Sequence, residues 1–250
     1  MYTRFLSIFL ALFSLVACGE KKSEEGAAKP LVVIISPDNP PFEFKDTAQA
    51  GDKVIGFDVD VVQKLGEHLG RPIKIIEGDF QSLIPSLQSG RADMALSEIY
   101  PTEERRKSVD FSDPYYSNKP ALLVLDSSPI TSEKDLANQK IGAQLGTPNE
   151  TMAQKWTETV PGLSVISLNK GGDLVQELKN GRIQAAIMGD NIAYRIAKST
   201  PGLKVIAIDT PSKDIAIAFP KGSSLVGPVN DALKNMKGDI EQITQKWIVQ

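Results

Sequence analysis

From Leu31 onward, short apolar runs alternate with amphipathic stretches. Residues 31–35 (LVVII) form an unbroken apolar run, the pattern of a buried strand, and Ser36-Pro37-Asp38-Asn39-Pro40-Pro41 ends it. Val61, Val62, Leu65 and Leu69 then recur at helical spacing, with Gly70 placed as the stop. The same reading predicts strands at 73–76, 92–97, 140–144, 165–168 and 185–188, and helices at 82–88, 150–156, 173–179 and 192–198. Such strand–helix alternation implies parallel sheets covered by helices on both faces.

One segment occurs twice. Residues 83–96 (LIPSLQSGRADMAL) match residues 174–187 (LVQELKNGRIQAAI): a helix, a Gly stop, an Arg and a small-residue strand. Two copies indicate two lobes of like design rather than a solenoid, which needs at least three. Ligands of open α/β sheets bind beyond the carboxyl ends of the strands. The segments after the two copies, Ser97-Glu98 and Met188-Gly189-Asp190, are therefore predicted to face each other across a cleft.

The first 30 residues do not share this pattern. Arg4, the apolar run over 5–16 and the small residues after it read as a secretory signal, too short to span a membrane. Leu15-Val16-Ala17-Cys18 resembles the bacterial lipobox, in which cleavage before the Cys is coupled to lipid attachment on its sulfur. A plain secretory signal with an incidental Cys is the simpler alternative. Residues 19–29 carry almost no hydrophobic bulk and read as a flexible tether. The expected organisation is a lipoprotein signal peptide at 1–17 and a tether at 18–30. The protein is then extracytoplasmic and held to a bacterial membrane, on the periplasmic side or the cell surface, by lipid at Cys18.

Composition acts mainly by exclusion. The 250 residues are 41% hydrophobic and 24% charged, an ordinary globular balance, and a net charge of −3 leaves no electrostatic footprint for nucleic acid. One His (His68) and one Cys (Cys18) leave no ligand set for a zinc or haem site and no His-activated nucleophile, so neither metal nor cofactor is expected.

Several short motifs follow one another in order: Pro41-Phe42-Glu43-Phe44, Gly56-Phe57-Asp58-Val59-Asp60-Val61, Thr102-Glu103-Glu104-Arg105 ahead of residues 109–116 (VDFSDPYY), residues 142–147 (GAQLGT), and residues 217–223 (IAFPKGS). From about Leu31 to the end the chain thereby resembles bacterial solute-binding proteins of the polar amino acid type (family 3), which serve ATP-driven importers. The resemblance implies an α/β, two-lobed periplasmic-binding-protein fold (type II), each lobe a mixed, mostly parallel sheet flanked by helices, joined by a two-strand hinge. The chain would cross near 117–120 and return near 213–215, giving one lobe of residues 31–118 plus 215–250 and another of 119–214. It further implies a monomer that closes on a polar or basic L-amino acid and delivers it to the permease subunits of an ABC transporter. A cyclohexadienyl dehydratase-like enzyme and a ligand-sensing surface lipoprotein are the alternatives on the same scaffold.

The resemblance also assigns roles. Arg105 corresponds to the Arg that grips the ligand α-carboxylate, for which a planar guanidinium is suited; without the resemblance, residues 103–107 (EERRK) read as a solvated charge run. Thr147 follows Gly146 ahead of a helix and either donates to the carboxylate or simply caps the helix, and Asn149 has the same two readings. Phe80 stands where an aromatic stacks on the ligand side chain, opposite Asn39 in place of a second aromatic. Ser36 replaces the usual Asp, and Asp38 is near enough to substitute for it. Ser97 lies in the predicted cleft segment. The carboxylate expected for the ligand ammonium aligns with Gly189, so Glu98, Asp190 or both are the candidates. Tyr100 replaces a small hydroxyl residue, which implies a pocket that is smaller or shaped for an unusual ligand.

Overall fold

The computed structural model describes residues 28–46 and 53–248. The signal segment and Cys18 lie outside the described residues. The chain opens with β1 (Leu31–Ile35), then β2 (Asp38–Asn39), β3 (Glu43–Asp46), β4 (Lys53–Ile55) and α1 (Phe57–Leu69). There follow β5 (Ile73–Glu77), α2 (Leu83–Gln88), β6 (Met94–Ala95), α3 (Glu103–Ser108), β7 (Val109–Phe111) and β8 (Tyr116–Asn118). A second run comprises β9 (Pro120–Leu125), β10 (Lys140–Gln144), α4 (Pro148–Trp156), β11 (Ser164–Leu168), α5 (Gly171–Lys179), β12 (Ala185–Gly189), α6 (Asp190–Ser199) and β13 (Leu203–Ala207). The chain returns through β14 (Lys213–Ile215) to β15 (Ala218–Pro220), α7 (Val226–Asn235) and α8 (Lys237–Trp247).

Two five-stranded sheets result, with orders β5-β1-β6-β15-β7 and β11-β10-β12-β9-β13. In each, four strands run one way and one runs against them: β15 pairs antiparallel with β6 and β7, and β9 with β12 and β13. The strand orders correspond one to one, as the internal repeat predicts. Between the sheets, β8 and β14 pair antiparallel with Asn118 opposite Lys213 and Tyr116 opposite Ile215, the two crossings of the hinge.

The repeat extends to hydrogen bonds. Gly90 and Gly181 take left-handed φ of 71° and 69°, which a side chain resists. Arg91 N donates to Ser86 O and Gly90 N to Leu87 O in the first copy; Arg182 N to Glu177 O and Gly181 N to Leu178 O repeat the pattern in the second. These bonds satisfy the last carbonyls of α2 and α5 and turn the chain into the next strand. There, Asp93 Oδ2 accepts from Val32 N, and Gln184 Oε1 accepts from Lys140 N in the same way.

Burial follows the apolar spacing. Phe57, Val61, Val62 and Leu65 are fully buried on α1, which packs on α7 and α8; each such side chain contributes about 1.5–3 kcal/mol. The strand predicted at 92–97 is shorter, Met94–Ala95. Its parallel bonds extend from Asp93 N to Leu96 N, but the backbone then turns to a left-handed residue at Glu98 (φ 48°). The hairpin sheet β2-β3-β4 was not predicted. Among the described residues no helix is long and apolar enough to cross a membrane.

Candidate functional site

The carboxyl ends of β1, β6, β10 and β12 meet around a cavity of about 240 Å³ between the two sheets. Ser36, Ser97, Gln144 and Gly189, each at or just past one of those strand ends, line it, as the strand-end rule requires. Asp38, Glu43 and Glu98 line it too, and among the described residues no Lys, Arg or His does.

Glu98 is the best-anchored of these acids. Its N–H donates to Asp58 Oδ2 at 3.0 Å, and Asp58 Oδ1 accepts from the Tyr115 hydroxyl at 2.8 Å. Its Oε2 accepts from Asn39 Nδ2 at 2.9 Å, and its Oε1 from Asn118 Nδ2. The Tyr100 hydroxyl stands 2.8 Å from Glu98 Oε1 and 2.5 Å from Asn118 Oδ1, with one proton to give to the two. Burial lifts the Glu98 carboxyl to about 7 and that of Asp58 to about 6, against the pull of these donors. Glu43 lies beside them, wholly buried; neither of its oxygens makes a well-formed hydrogen bond. Burial and the neighbouring Asp58 carboxylate raise it well above the carboxylate range, so it holds a proton next to Asp58.

Arg105 sits at the cavity's edge. It lines the adjoining groove, whose walls share Thr147 and Pro148 with the cavity. Nη1 donates to Tyr100 O at 2.9 Å, and Nη2 crosses to the other sheet's Gly146 O at 3.0 Å. The guanidinium lies 5.2 Å from the centre of the Phe80 ring, which fixes its plane. Two of its five N–H groups are thus engaged, and three stay available to an anion. Burial lowers it to about 10, so it is charged at neutral pH. Asp38 also bridges the lobes, accepting from Gly171 N at 3.2 Å and Gln144 Nε2 at 3.3 Å, and burial raises its carboxyl.

The structure thus brings Phe80, Asn39, Ser97, Glu98, Tyr100 and Thr147 to the cavity and Arg105 to its edge. Ser97 Oγ accepts from Ser36 N, which leaves its own proton to give. Thr147 caps α4 through Glu150 N and lines the cavity, and its hydroxyl donates to Gln144 O at 2.7 Å. Asn149, also buried, lies beside it. Asp190 is placed elsewhere. Its Oδ1 accepts from Asn191 N and Lys119 N, where α6 begins beside the hinge, and it does not line the cavity. The reason is a one-residue step: Gly189 ends the strand at the cavity, and the chain turns into the helix after it. Sequence reasoning missed Gln144 and Asn118 and left Glu43 without a role. Glu43 lay inside a quoted motif, but nothing local signalled a buried acid.

A cationic edge and an acidic floor, both fixed by hydrogen bonds, suit a small zwitterion. The comparisons agree with that chemistry. An arginine-binding extracellular protein of Bacillus subtilis (strain 168) is 39% identical, with 94% of this chain and 92% of the relative covered. A probable histidine-binding protein of Campylobacter jejuni is 36% identical, covering 88% and 85%. Among solved structures, an ancestral arginine-binding protein bound to arginine superposes with a TM-score of 0.82 at 35% identity, covering 87% of this chain and 97% of its own. The arginine-, lysine-, histidine-binding protein of Geobacillus stearothermophilus gives a TM-score of 0.81 at 31% identity, covering 88% and 96%. The model of the bacterial extracellular solute-binding proteins, family 3, matches residues 31–250, and this chain belongs to that family.

Proposed function

We propose that this protein is the amino acid-binding component of an ABC-type importer and that its ligand is a basic L-amino acid of the arginine type. The observation that carries the reading is the charge layout: the carboxyls of Asp38 and Glu98 and, among the described residues, no base line the cavity, with Arg105 at one edge. Arg105 meets the ligand's carboxylate, with Thr147 beside it. Glu98 takes the ammonium group, and Asp38 takes the distal cation between Phe80 and Asn39. Contacts to both lobes favour the closed hinge. The arginine- and histidine-binding relatives support the ligand class, and a relative described as an ABC transporter glutamine-binding protein of Bacillus subtilis, 31% identical, supports the partner. A monomer anchored by lipid at Cys18 and presenting the amino acid to permease subunits completes the reading. A thermal-shift screen of the twenty amino acids tests it: arginine, lysine or histidine gives the largest rise, and no rise with any amino acid refutes it.

A second reading has one observation in its favour. A buried carboxyl lifted to about 7 inside the cavity is what acid-assisted elimination needs. One structural neighbour (TM-score 0.80, 32% identity) is an ancestral amino acid-binding protein described as a precursor of cyclohexadienyl dehydratase. Turnover of prephenate or arogenate by the purified protein would establish that activity, and its absence would remove it.

A further inference from the structure

The groove beyond Arg105 has no part in binding a free amino acid. It is open and holds about 560 Å³, within the range of about 300–1,000 Å³ usual for small-molecule sites. Three parts of the chain converge on it: Arg105 from the first lobe, α4 from the second, and Lys213 from the returning hinge strand. On α4, Thr151, Met152 and Lys155 follow Pro148 at helical spacing, so one face of the helix is turned to the groove, with Trp156 beside it.

The charges in the groove do not balance. Arg105, Lys155 and Lys213 bring three cations, while the acid that lines it, Glu104, is already paired with Lys107 at 2.6 Å. Among the described residues neither Lys155 nor Lys213 has an ion-pair partner. Burial and the Lys155 charge both lower Lys213 from the usual lysine range. An anion between the two ammonium groups would relieve the repulsion and gain charged hydrogen bonds.

The groove begins where the cavity ends. The two share Thr147 and Pro148, and Arg105 stands at the junction with Nη2 on Gly146 O. A ligand whose carboxylate meets Arg105 therefore has its carboxyl carbon toward the groove, and a residue joined to that carbon enters it. A peptide carbonyl there accepts from Arg105 as a carboxylate oxygen does. Met152 and Trp156 then offer apolar surface that a second residue uses and a free inorganic anion does not.

Resting on the amino acid-binding reading above, we propose that the groove is a second subsite and that the ligands of this protein include dipeptides. The first residue is basic and occupies the cavity, with its ammonium group at Glu98 and its distal cation at Asp38. The second residue lies in the groove, with its terminal carboxylate between Lys155 and Lys213.

The test is calorimetric titration at pH 7 of the wild type and of a Lys155→Gln/Lys213→Gln double variant, with ligand-free melting as the check on folding. The ligands are L-arginine, L-arginyl-L-alanine and L-arginyl-L-alanine amide, which lacks the terminal charge. The wild type binds the dipeptide, and binds its amide about 10- to 150-fold more weakly, the worth of a charged hydrogen bond. The double variant loses a similar factor for the dipeptide, no longer tells it from its amide, and keeps arginine within about twofold. Each single variant, Lys155→Gln or Lys213→Gln, falls between. A wild type that binds arginine but not arginyl-alanine overturns the proposal and leaves the functional reading intact. So does a dipeptide affinity that neither the amide nor the substitutions change, or a loss for arginine equal to that for the dipeptide. Stabilisation of the wild type by acetate or phosphate, without dipeptide binding, would make the groove a site for free anions and equally overturn it. A wild type that binds neither amino acids nor dipeptides overturns both.

Discussion

Replacing Glu98 by Gln is expected to have opposite effects on ligand-free stability and on ligand affinity. Burial holds the Glu98 carboxyl near 7, above the 4.5 of a free glutamate. Between those values the folded protein keeps a proton that the unfolded chain has lost, so stability falls as pH rises from about 4.5 to about 7 and is level above. At about 1.4 kcal/mol per pH unit the full fall is about 3 kcal/mol. Gln has no charge to desolvate and escapes this cost, but its amide turns an N–H toward Asn39 Nδ2 and loses about 1 kcal/mol there. The net gain above pH 7 is about 2 kcal/mol, or about 4–8 °C in melting temperature for a chain of this size. At pH 5, where Glu98 is protonated, the gain disappears. Asp58 and Glu43 are packed against Glu98 and feel its charge, so part of the difference is carried by them. Binding moves the other way: above pH 7 the variant loses about 10- to 150-fold in arginine affinity. As pH drops below 7, wild-type affinity should fall by up to about tenfold per unit more than that of the variant. Calorimetric melting and titration at pH 5, 6, 7 and 8 provide both curves. A difference in melting temperature that does not change with pH would refute the assignment of Glu98 as a strained, desolvated acid.

Glu43→Gln should leave the melting temperature within about 3 °C of wild type at pH 7, because it replaces a protonated acid by a neutral isostere; a loss above about 10 °C in thermal unfolding would mean that Glu43 is ionised. Asp38→Asn should cost about tenfold or more in affinity for arginine and much less for glutamine, since only arginine carries a distal charge; equal losses in competition titrations would remove Asp38 from side-chain recognition.

The repeat was the most informative feature of the sequence. Because helix, left-handed Gly and strand follow in fixed order, it set the two lobes and which loops meet, and the strand orders and the Gly90 and Gly181 turns match it. Apolar periodicity found most strands and helices, since burial on one face is written in spacing. It could not find β2-β3-β4, whose Pro-rich, polar stretch has no period, and it overran β6, where the backbone leaves the sheet for the left-handed Glu98. Within the site, Asp190 shows the limit of spacing: a one-residue step across a strand end separates the cavity from a helix cap. Glu43 and Asn118 were illegible for another reason. Their roles come from partners far along the chain, such as Asn118 bonding to Glu98 from the hinge strand.

The central claim is that Arg105 holds a carboxylate of an arginine-like ligand at the cleft. Its most direct test is calorimetric titration of wild type and Arg105→Gln with L-arginine and with agmatine, which is arginine without its carboxylate. The account predicts that the substitution weakens arginine at least about tenfold more than it weakens agmatine. Equal weakening of the two ligands, or unchanged arginine affinity, would contradict it.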